Sequence, residues 1–237
     1  MALDFESLTT ISFDCYGTLI DWEGGISAAL QPVLVTRGIA IDREQLLADY
    51  AQIESAIESE EYRSYREVLR EVLSRFGAKF DFAPTPDELE TCADSPTRWP
   101  PFPDSGAALR KLQERFRLIV LSNIDDDLFA ASERALGVEF DDIITAQQVG
   151  AYKPSPAMFA ALLARCSCQP ERLLHAAQSL YHDIAPAREF GLSTVWVNRR
   201  HDQTGGGATP AADAAVKPDL EVKSLAELAQ LVAGTEH

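Results

Sequence analysis

The second half of the chain alternates between short, continuously apolar segments and segments in which apolar residues recur with a helical period. The apolar segments predict strands over Leu118–Leu121, Ile143–Ala146, Leu173–Ala177 and Thr194–Val197. Helices are predicted around them, over Asp104–Phe116, Asp126–Leu136, Pro156–Ala164 and Pro186–Phe190, with a last one starting at Ser224. This alternation is typical of an α/β fold, in which helices cover both faces of a parallel sheet. A site in such a fold lies beyond the carboxyl ends of the strands.

One more strand is predicted near the N-terminus, within the segment TTISFDCYGTLID that spans Thr9–Asp21. Ile11–Phe13 has the composition of a buried strand end that delivers Asp14, and Gly17 allows a sharp turn directly after it. A carboxylate held at this place beside free backbone N–H groups is a good nucleophile. Taken alone, Asp14 is more simply explained as a residue that caps a turn.

From Trp22 to about Pro96 the apolar residues follow a helical period, which predicts a small helical domain after the first strand. Its two apolar stripes are Leu46, Leu47, Tyr50, Ile53 and Ile57, and then Tyr62, Tyr65, Leu69, Val72, Leu73 and Phe76. Asp42 with Gln45 resembles a capping box, and Gly77 is the predicted helix end. We therefore predict a core of residues 1–21 and 97–237 and a helical cap of residues 22–96.

The length and the net charge of the chain limit the functions it can have. The 237 residues can bury a sizeable interior, and a formal net charge of −16 opposes binding to nucleic acid or to an anionic membrane surface. No apolar run approaches the roughly 18 residues of a membrane span, and no signal segment is recognisable. The cysteines Cys15, Cys92, Cys166 and Cys168 form no zinc or C-x-x-C pattern. We expect a reduced, cytoplasmic enzyme with a small-molecule substrate, and a homodimer is possible.

Chemically capable residues follow several predicted strands. The four segments are Asp14-Cys15-Tyr16-Gly17-Thr18, Ser122-Asn123, Lys153-Pro154 and Asp183. Each has an ordinary explanation by itself: Ser122-Asn123 can end a strand, Lys153 can be a solvated lysine before a helix, and Asp183 can cap the following helix. These explanations do not account for the order and spacing of the set. A shared site explains all four segments together.

This ordered set resembles the haloacid dehalogenase superfamily and, within it, the 2-haloacid dehalogenase branch, over nearly the whole chain. The resemblance implies a Rossmann-like core with a helical cap inserted after the first strand. It also implies that Asp14 is the nucleophile, that Thr18 and Ser122 are hydrogen-bonding elements, that Lys153 is the charge partner and that Asp183 is the second carboxylate. The predicted substrate-binding residues are Cys15, Tyr16, Ser122, Asn123, Ser179 and His182, with Tyr181 beside them.

The chemistry of these roles is independent of the family name. An ammonium near Asp14 keeps that carboxylate ionised and offsets repulsion from Asp183. Ser122 and Asn123 supply a hydroxyl and an amide that can hold a substrate carboxylate or orient Asp14. The set therefore predicts an anionic nucleophile beside a cation and an anion-binding group.

Tyr16 separates two subclasses. Phosphatases of the superfamily carry at this position a second Asp, which protonates the leaving alkoxide and helps to organise magnesium. A phenol with an unperturbed pKa of about 10 is a poor general acid at neutral pH. The favoured leaving group is therefore one that needs no donated proton, such as a halide or a protonated nitrogen in a strained ring. No cofactor is expected, and magnesium belongs to the phosphatase alternative.

Three positions depart from the haloacid dehalogenase pattern. Leu46–Glu58 contains no basic residue, where that family usually places an arginine for the halide. Phe159 stands in place of an active-site tyrosine, and Leu180 in place of an asparagine. Tyr62, Arg63, Tyr65 and Arg66 offer an alternative anion site on another cap helix, although a solvated helix face is the simpler explanation for both arginines.

A narrower resemblance accommodates these departures. The phrases FDCYGTLIDWE, LSNID, LGVEFDDIITAQQVGAYKP and SLYHD are similar to those of the azetidine-2-carboxylate hydrolases, relatives that open a four-membered cyclic imino acid. Their leaving nitrogen stays attached to the product, so no halide pocket is needed. The sequence thus predicts a hydrolase that acts on a small 2-substituted carboxylate, of 2-haloacid or azetidine-2-carboxylate type, through an ester on Asp14. The alternatives are a magnesium-dependent phosphatase and a non-catalytic binding module.

Overall fold

A computed structural model describes residues 3–234, and within them the chain forms a parallel sheet flanked by helices. The strands are β1 (Thr10–Phe13), β2 (Arg117–Ser122), β3 (Asp142–Thr145), β4 (Leu173–Ala177), β5 (Ser193–Val197) and β6 (Leu220–Val222). The helices are α1 (Trp22–Val35), α2 (Arg43–Glu58), α3 (Tyr65–Phe80), α4 (Pro86–Ala93), α5 (Ser105–Gln113), α6 (Asp126–Leu136), α7 (Ala146–Val149), α8 (Pro156–Cys166), α9 (Ala185–Glu189) and α10 (Leu225–Ala233). None of the described helices is long and apolar enough to span a bilayer.

The sheet has the strand order β3-β2-β1-β4-β5-β6, and every pairing is parallel. Residues of β1 and β4 are all buried, because helices cover both faces of the sheet. The order of the strands reverses beside β1, so the crevice for a ligand lies beyond the carboxyl ends of β1 and β4. This is where the segments after those strands meet.

The α/β fold class predicted from the sequence is confirmed. The predicted helix Asp126–Leu136 and strand Leu173–Ala177 have the predicted bounds, and Ser155 caps α8. The short strand β6 was not predicted from the sequence, because three residues after a glycine-rich segment give no clear apolar run. Helices α1 to α4 lie between β1 and β2 in the chain, as a cap inserted after the first strand requires.

Two details of the cap differ from the prediction. Gly77 does not end α3, which continues to Phe80 and ends at the left-handed Asp81. Gly77 is needed for close packing instead, since a Cβ built there would lie 2.5 Å from the carbonyl oxygen of Phe82. At α2, Asp42 accepts a hydrogen bond from the backbone N–H of Gln45, but the Gln45 side chain donates to Asp49, so that only half of the predicted capping box forms.

Candidate active site

Asp14 lies directly after β1 and is almost completely buried, with 6% of its surface exposed. The turn behind it needs the positive φ of Gly17, which is +92°. The Thr18 hydroxyl donates to Asp14 Oδ2 over 2.6 Å and accepts from the backbone N–H of Gln178 at 2.9 Å. Thr18 therefore fixes the orientation of the Asp14 carboxylate and ties it to the segment after β4.

Lys153 joins the segments that follow the strands. Its Nζ donates to Asp14 Oδ1 over 2.8 Å, to Asp183 Oδ1 over 2.6 Å and to the Leu121 carbonyl oxygen over 2.9 Å. The Lys153 side chain is buried, so these three acceptors replace the water that an ammonium otherwise requires. Asn123 holds the Lys153 backbone, because its Oδ1 accepts from the Lys153 N–H at 2.7 Å and its Nδ2 donates to the Lys153 carbonyl over 3.1 Å.

Asp183 sits in a single π-helical turn, Leu180–Ile184, between β4 and α9. Its Oδ1 lies 3.1 Å from His175 Nε2, and His175 Nδ1 lies 2.8 Å from the Ser12 hydroxyl. His175 and Ser12 are paired in register across β4 and β1. Sequence reasoning missed both residues, although each is a polar residue inside a fully buried strand, and that is the signal that could have revealed them.

The charges in this cluster set the protonation of its members. Burial opposes the charged form of Lys153, but Asp14 and Asp183 outweigh it and raise the pKa of the ammonium. Burial also opposes ionisation of Asp183, but Lys153 and His175 outweigh it and lower the pKa of that carboxyl. For Asp14 burial is the larger effect, and its pKa is raised despite Lys153. Asp183 is therefore the carboxylate that stays ionised to the lowest pH.

A small cavity of about 40 Å³ opens between this cluster and the helices inserted after β1. It is lined by Asp14, Tyr16, Trp22, Glu54, Glu58, Tyr65, Ser122, Asn123, Lys153, Gln178, Ser179, His182 and Asp183. The Ser122 hydroxyl is buried and has no hydrogen-bond partner in the described part of the chain, which leaves it free for a ligand. Ser179 accepts from the backbone N–H of His182 at 2.8 Å, and burial lowers the pKa of His182 to about 4, so this imidazole is neutral at pH 7.

Three of the predicted site residues do not line the cavity: Cys15, Tyr181 and Thr18, which acts through Asp14. The Cys15 side chain is packed into the hydrophobic core, because the chain after β1 alternates between the cavity and the interior. Its backbone N–H makes no hydrogen bond among the described residues. The ring of Tyr181 packs edge-on against the ring of His182, with 4.8 Å between the ring centres.

Tyr16 lines the cavity with its ring, while its hydroxyl lies 2.8 Å from the Ser132 hydroxyl of α6. The ring also packs edge-on against Trp99. Burial raises the pKa of Tyr16 well above that of an ordinary phenol. Tyr16 is thus a wall of the cavity and a weaker acid than a free tyrosine.

The structure shows what surrounds the residues that depart from the haloacid dehalogenase pattern and the arginines considered in their place. Phe159 packs edge-on against His175 in the core. Arg63 pairs with Glu60 and Arg66 pairs with Asp94 and Asp127, away from the cavity, so the alternative anion site at these arginines does not form. The cap contributes acidic residues to the cavity instead, Glu54 and Glu58 of α2.

The phosphatase alternative requires a magnesium site beside Asp14. Asp14 and Asp183 converge on the ammonium of Lys153, and Tyr16 supplies no further carboxylate. Among residues 3–234 no group of three or more His, Cys, Asp or Glu side chains is arranged to hold a metal ion. These residues do not fit a magnesium centre, which prefers several oxygen ligands in octahedral geometry.

The chain is similar to haloacid dehalogenases over most of its length and to a phosphatase over a smaller part. A family model described as "haloacid dehalogenase-like hydrolase" matches residues 8–191. An (S)-2-haloacid dehalogenase from Pseudomonas putida is 27% identical over 88% of this chain and 94% of that enzyme. The structure of L-2-haloacid dehalogenase from Xanthobacter autotrophicus superimposes with a TM-score of 0.80, at 22% identity, over 96% of this chain and 99% of that one. A glyceraldehyde 3-phosphate phosphatase from Methanothermobacter thermautotrophicus is 33% identical, but over 41% of this chain and 45% of its own.

Proposed function

The chain belongs to the haloacid dehalogenase-like hydrolases, and from that premise we propose that it hydrolyses a small 2-substituted carboxylate through an ester on Asp14. The observation that carries the proposal is the buried cluster in which Lys153 bridges Asp14 and Asp183 beneath a small cavity. The relatives that match most of the chain include several named as haloacid dehalogenases, which supports a substrate of this size and type. The proposed substrate is a 2-haloacid or azetidine-2-carboxylate.

In the first step an oxygen of Asp14 attacks the substrate carbon that bears the leaving group. The new bond joins Asp14 oxygen to that carbon, and the electron pair of the broken bond departs with the halide or the ring nitrogen. Thr18 and Lys153 each hold one of the two Asp14 oxygens, so the carboxylate is fixed before the substrate arrives. The unpartnered Ser122 hydroxyl, which lines the cavity, suits the substrate carboxylate.

In the second step water attacks the carbonyl carbon of the Asp14 ester. The ester opens to an Asp14 carboxylate and a 2-hydroxy acid, and one proton is released. Asp183, ionised because its pKa is lowered, orients this water and accepts its proton, and His175 holds Asp183 in place. With an azetidine substrate the proton ends on the freed amine, whereas with a haloacid it goes to solvent. No cofactor takes part in either case.

A substrate panel tests this proposal. Purified protein is incubated with 2-chloropropionate, azetidine-2-carboxylate and a set of phosphate monoesters, each with magnesium and with a chelator. We expect turnover of at least one carboxylate at a rate that the chelator does not change. Turnover confined to phosphate esters in the presence of magnesium would overturn the proposal, and so would the absence of any turnover by a folded protein.

A further inference from the structure

Two carboxylates in the cavity have no part in the reaction described above. Glu54 and Glu58 lie one turn apart on α2, so their side chains lie on the same face of that helix. Both line the cavity from the cap side. Glu54 is 5% exposed, and its Oε1 accepts hydrogen bonds of 2.7 Å from the hydroxyls of Tyr50 and Tyr65. Glu58 is half-buried and receives a long 3.4 Å contact from Asn123. We refer to Glu54 and Glu58 as the acid pair.

The charge balance of the cavity is unusual for a site that binds an anion. Four acidic side chains line it, and the ammonium of Lys153 is already shared by Asp14 and Asp183. In the described part of the chain neither member of the acid pair forms a salt bridge. Burial raises the pKa of Glu54 to about 7 and that of Glu58 well above its ordinary value. Carboxylates with little access to water and no cationic partner are costly to keep ionised, and a cationic ligand would relieve that cost.

We propose that the acid pair is the receptor for a protonated nitrogen of the substrate, which makes the substrate a small zwitterion. This rests on the proposed function, because the nitrogen is taken to be the leaving group on the carbon that Asp14 attacks. The carboxylate of the zwitterion meets the Ser122 hydroxyl on the core side, and the nitrogen meets the acid pair on the cap side. The rings of Trp22 and Tyr65 beside it suit a cation as well.

The arrangement also predicts that simple haloacids are poorer substrates than a small zwitterion. A halide that develops negative charge beside Glu54 and Glu58 is repelled, whereas a nitrogen that starts with a positive charge is attracted. When the carbon–nitrogen bond breaks, its electron pair neutralises the nitrogen. The amine then takes up the proton that ester hydrolysis releases and again pairs with the acid pair. Atoms and charge balance without any additional reactant.

Binding to a protein that cannot react tests the acid pair apart from turnover. Asp14→Asn is titrated with azetidine-2-carboxylate and with cyclobutanecarboxylate, which has the same ring size but a CH₂ group in place of the charged nitrogen. We expect azetidine-2-carboxylate to bind about 10- to 100-fold more tightly, as charge-assisted hydrogen bonds allow. Adding Glu58→Gln or Glu54→Gln should reduce that preference to within about threefold. Glu61→Gln, at an exposed glutamate near the end of α2, should preserve it.

The outcomes separate the two proposals. Equal binding of the two ring acids by Asp14→Asn, or a preference that survives both glutamine substitutions, overturns the role of the acid pair. Melting curves of the double variants confirm that each is folded, and Glu58→Gln alone is sufficient if Glu54→Gln does not fold. The binding preference of Asp14→Asn could depend on the acid pair while the wild-type protein turns over no carboxylate. That result would support the acid pair as the receptor and refute the proposed hydrolysis.

Discussion

Lys153 is the residue whose removal changes the charge of the site most. In Lys153→Met, Asp14 and Asp183 would face one another without a cation, so we expect the rate to fall by about 100-fold or more. Like charges raise carboxylate pKa values, and the acidic limb of kcat/KM should therefore move to higher pH. The measurement is a pH profile of the variant beside Lys111→Met, an exposed substitution that should behave as wild type. An unchanged rate and limb would show that Lys153 is only structural.

The acidic limb of the wild-type enzyme is itself informative. Asp14 must be ionised to attack, and burial raises its pKa above the ordinary value. Activity should therefore be lost on acidification at a pH above about 3.9, the value of an unperturbed aspartate. A kcat/KM profile that stays flat down to that pH would contradict the burial of the nucleophile.

Tyr16 can be tested by exchanging it for the residue that phosphatases carry. Tyr16→Asp adds an anion beside Asp14 and loses the contact with Ser132, so carboxylate turnover should fall at least about tenfold. Tyr16→Phe is the matched control, because it keeps the ring and removes only the hydroxyl, and it should stay within about threefold of wild type. A rise in carboxylate turnover in Tyr16→Asp would refute this view of the site.

At the scale of elements, the sheet strands were predictable because parallel strands buried on both faces read as unbroken apolar runs. The same rule hid His175, which sits in such a run and was counted only as strand. The acid pair was hidden for a different reason. Two acids one turn apart usually mark a solvated helix face, and the sequence of α2 does not show that this turn is placed over a cavity.

The end of α3 provides a test of packing within the cap. In Gly77→Ala the new methyl group would lie 2.5 Å from the Phe82 carbonyl oxygen and 2.9 Å from Pro84 Cδ. We expect the free energy of unfolding to fall by about 1–3 kcal/mol, although alanine is the better helix former. Gly234→Ala is the control, because its methyl would lie 3.5 Å from the nearest atom. Equilibrium unfolding in urea measures the free energy of unfolding of both variants. A Gly77→Ala protein as stable as wild type would exclude the packing role.

At the scale of the whole molecule, a partly buried arginine connects the inserted helices to the sheet. Arg200 lies after β5 and pairs with Glu23 of α1 and, at 2.6 Å, with Glu44 of α2. The backbone N–H of Ala208 donates to the same Glu23 over 3.0 Å. These contacts were not predicted, because sequence alone does not show which distant acids an arginine will meet. We propose that this segment holds the cap, residues 22–96, against the core.

Arg200→Ala should destabilise the protein by about 1–3 kcal/mol, because it removes the shorter of the two salt bridges to the mostly buried Glu23 and the pair with Glu44. Arg188→Ala removes an exposed pair with Asp219 and should cost less than about 1 kcal/mol. Equilibrium unfolding in urea compares the two variants. Equal small losses would show that the Arg200 pairs behave as surface salt bridges.

The covalent role of Asp14 is tested most directly by one turnover in H₂¹⁸O with enzyme in excess over azetidine-2-carboxylate or 2-chloropropionate. If Asp14 attacks carbon and water then opens its ester, the product hydroxyl carries the unlabelled Asp14 oxygen and the label enters the Asp14 carboxylate. Mass spectrometry of the product and of the peptide that contains Asp14 shows where the label is. We predict an unlabelled product and a peptide heavier by one ¹⁸O. A labelled product with an unlabelled peptide would mean that water attacks the substrate directly, and would contradict the account.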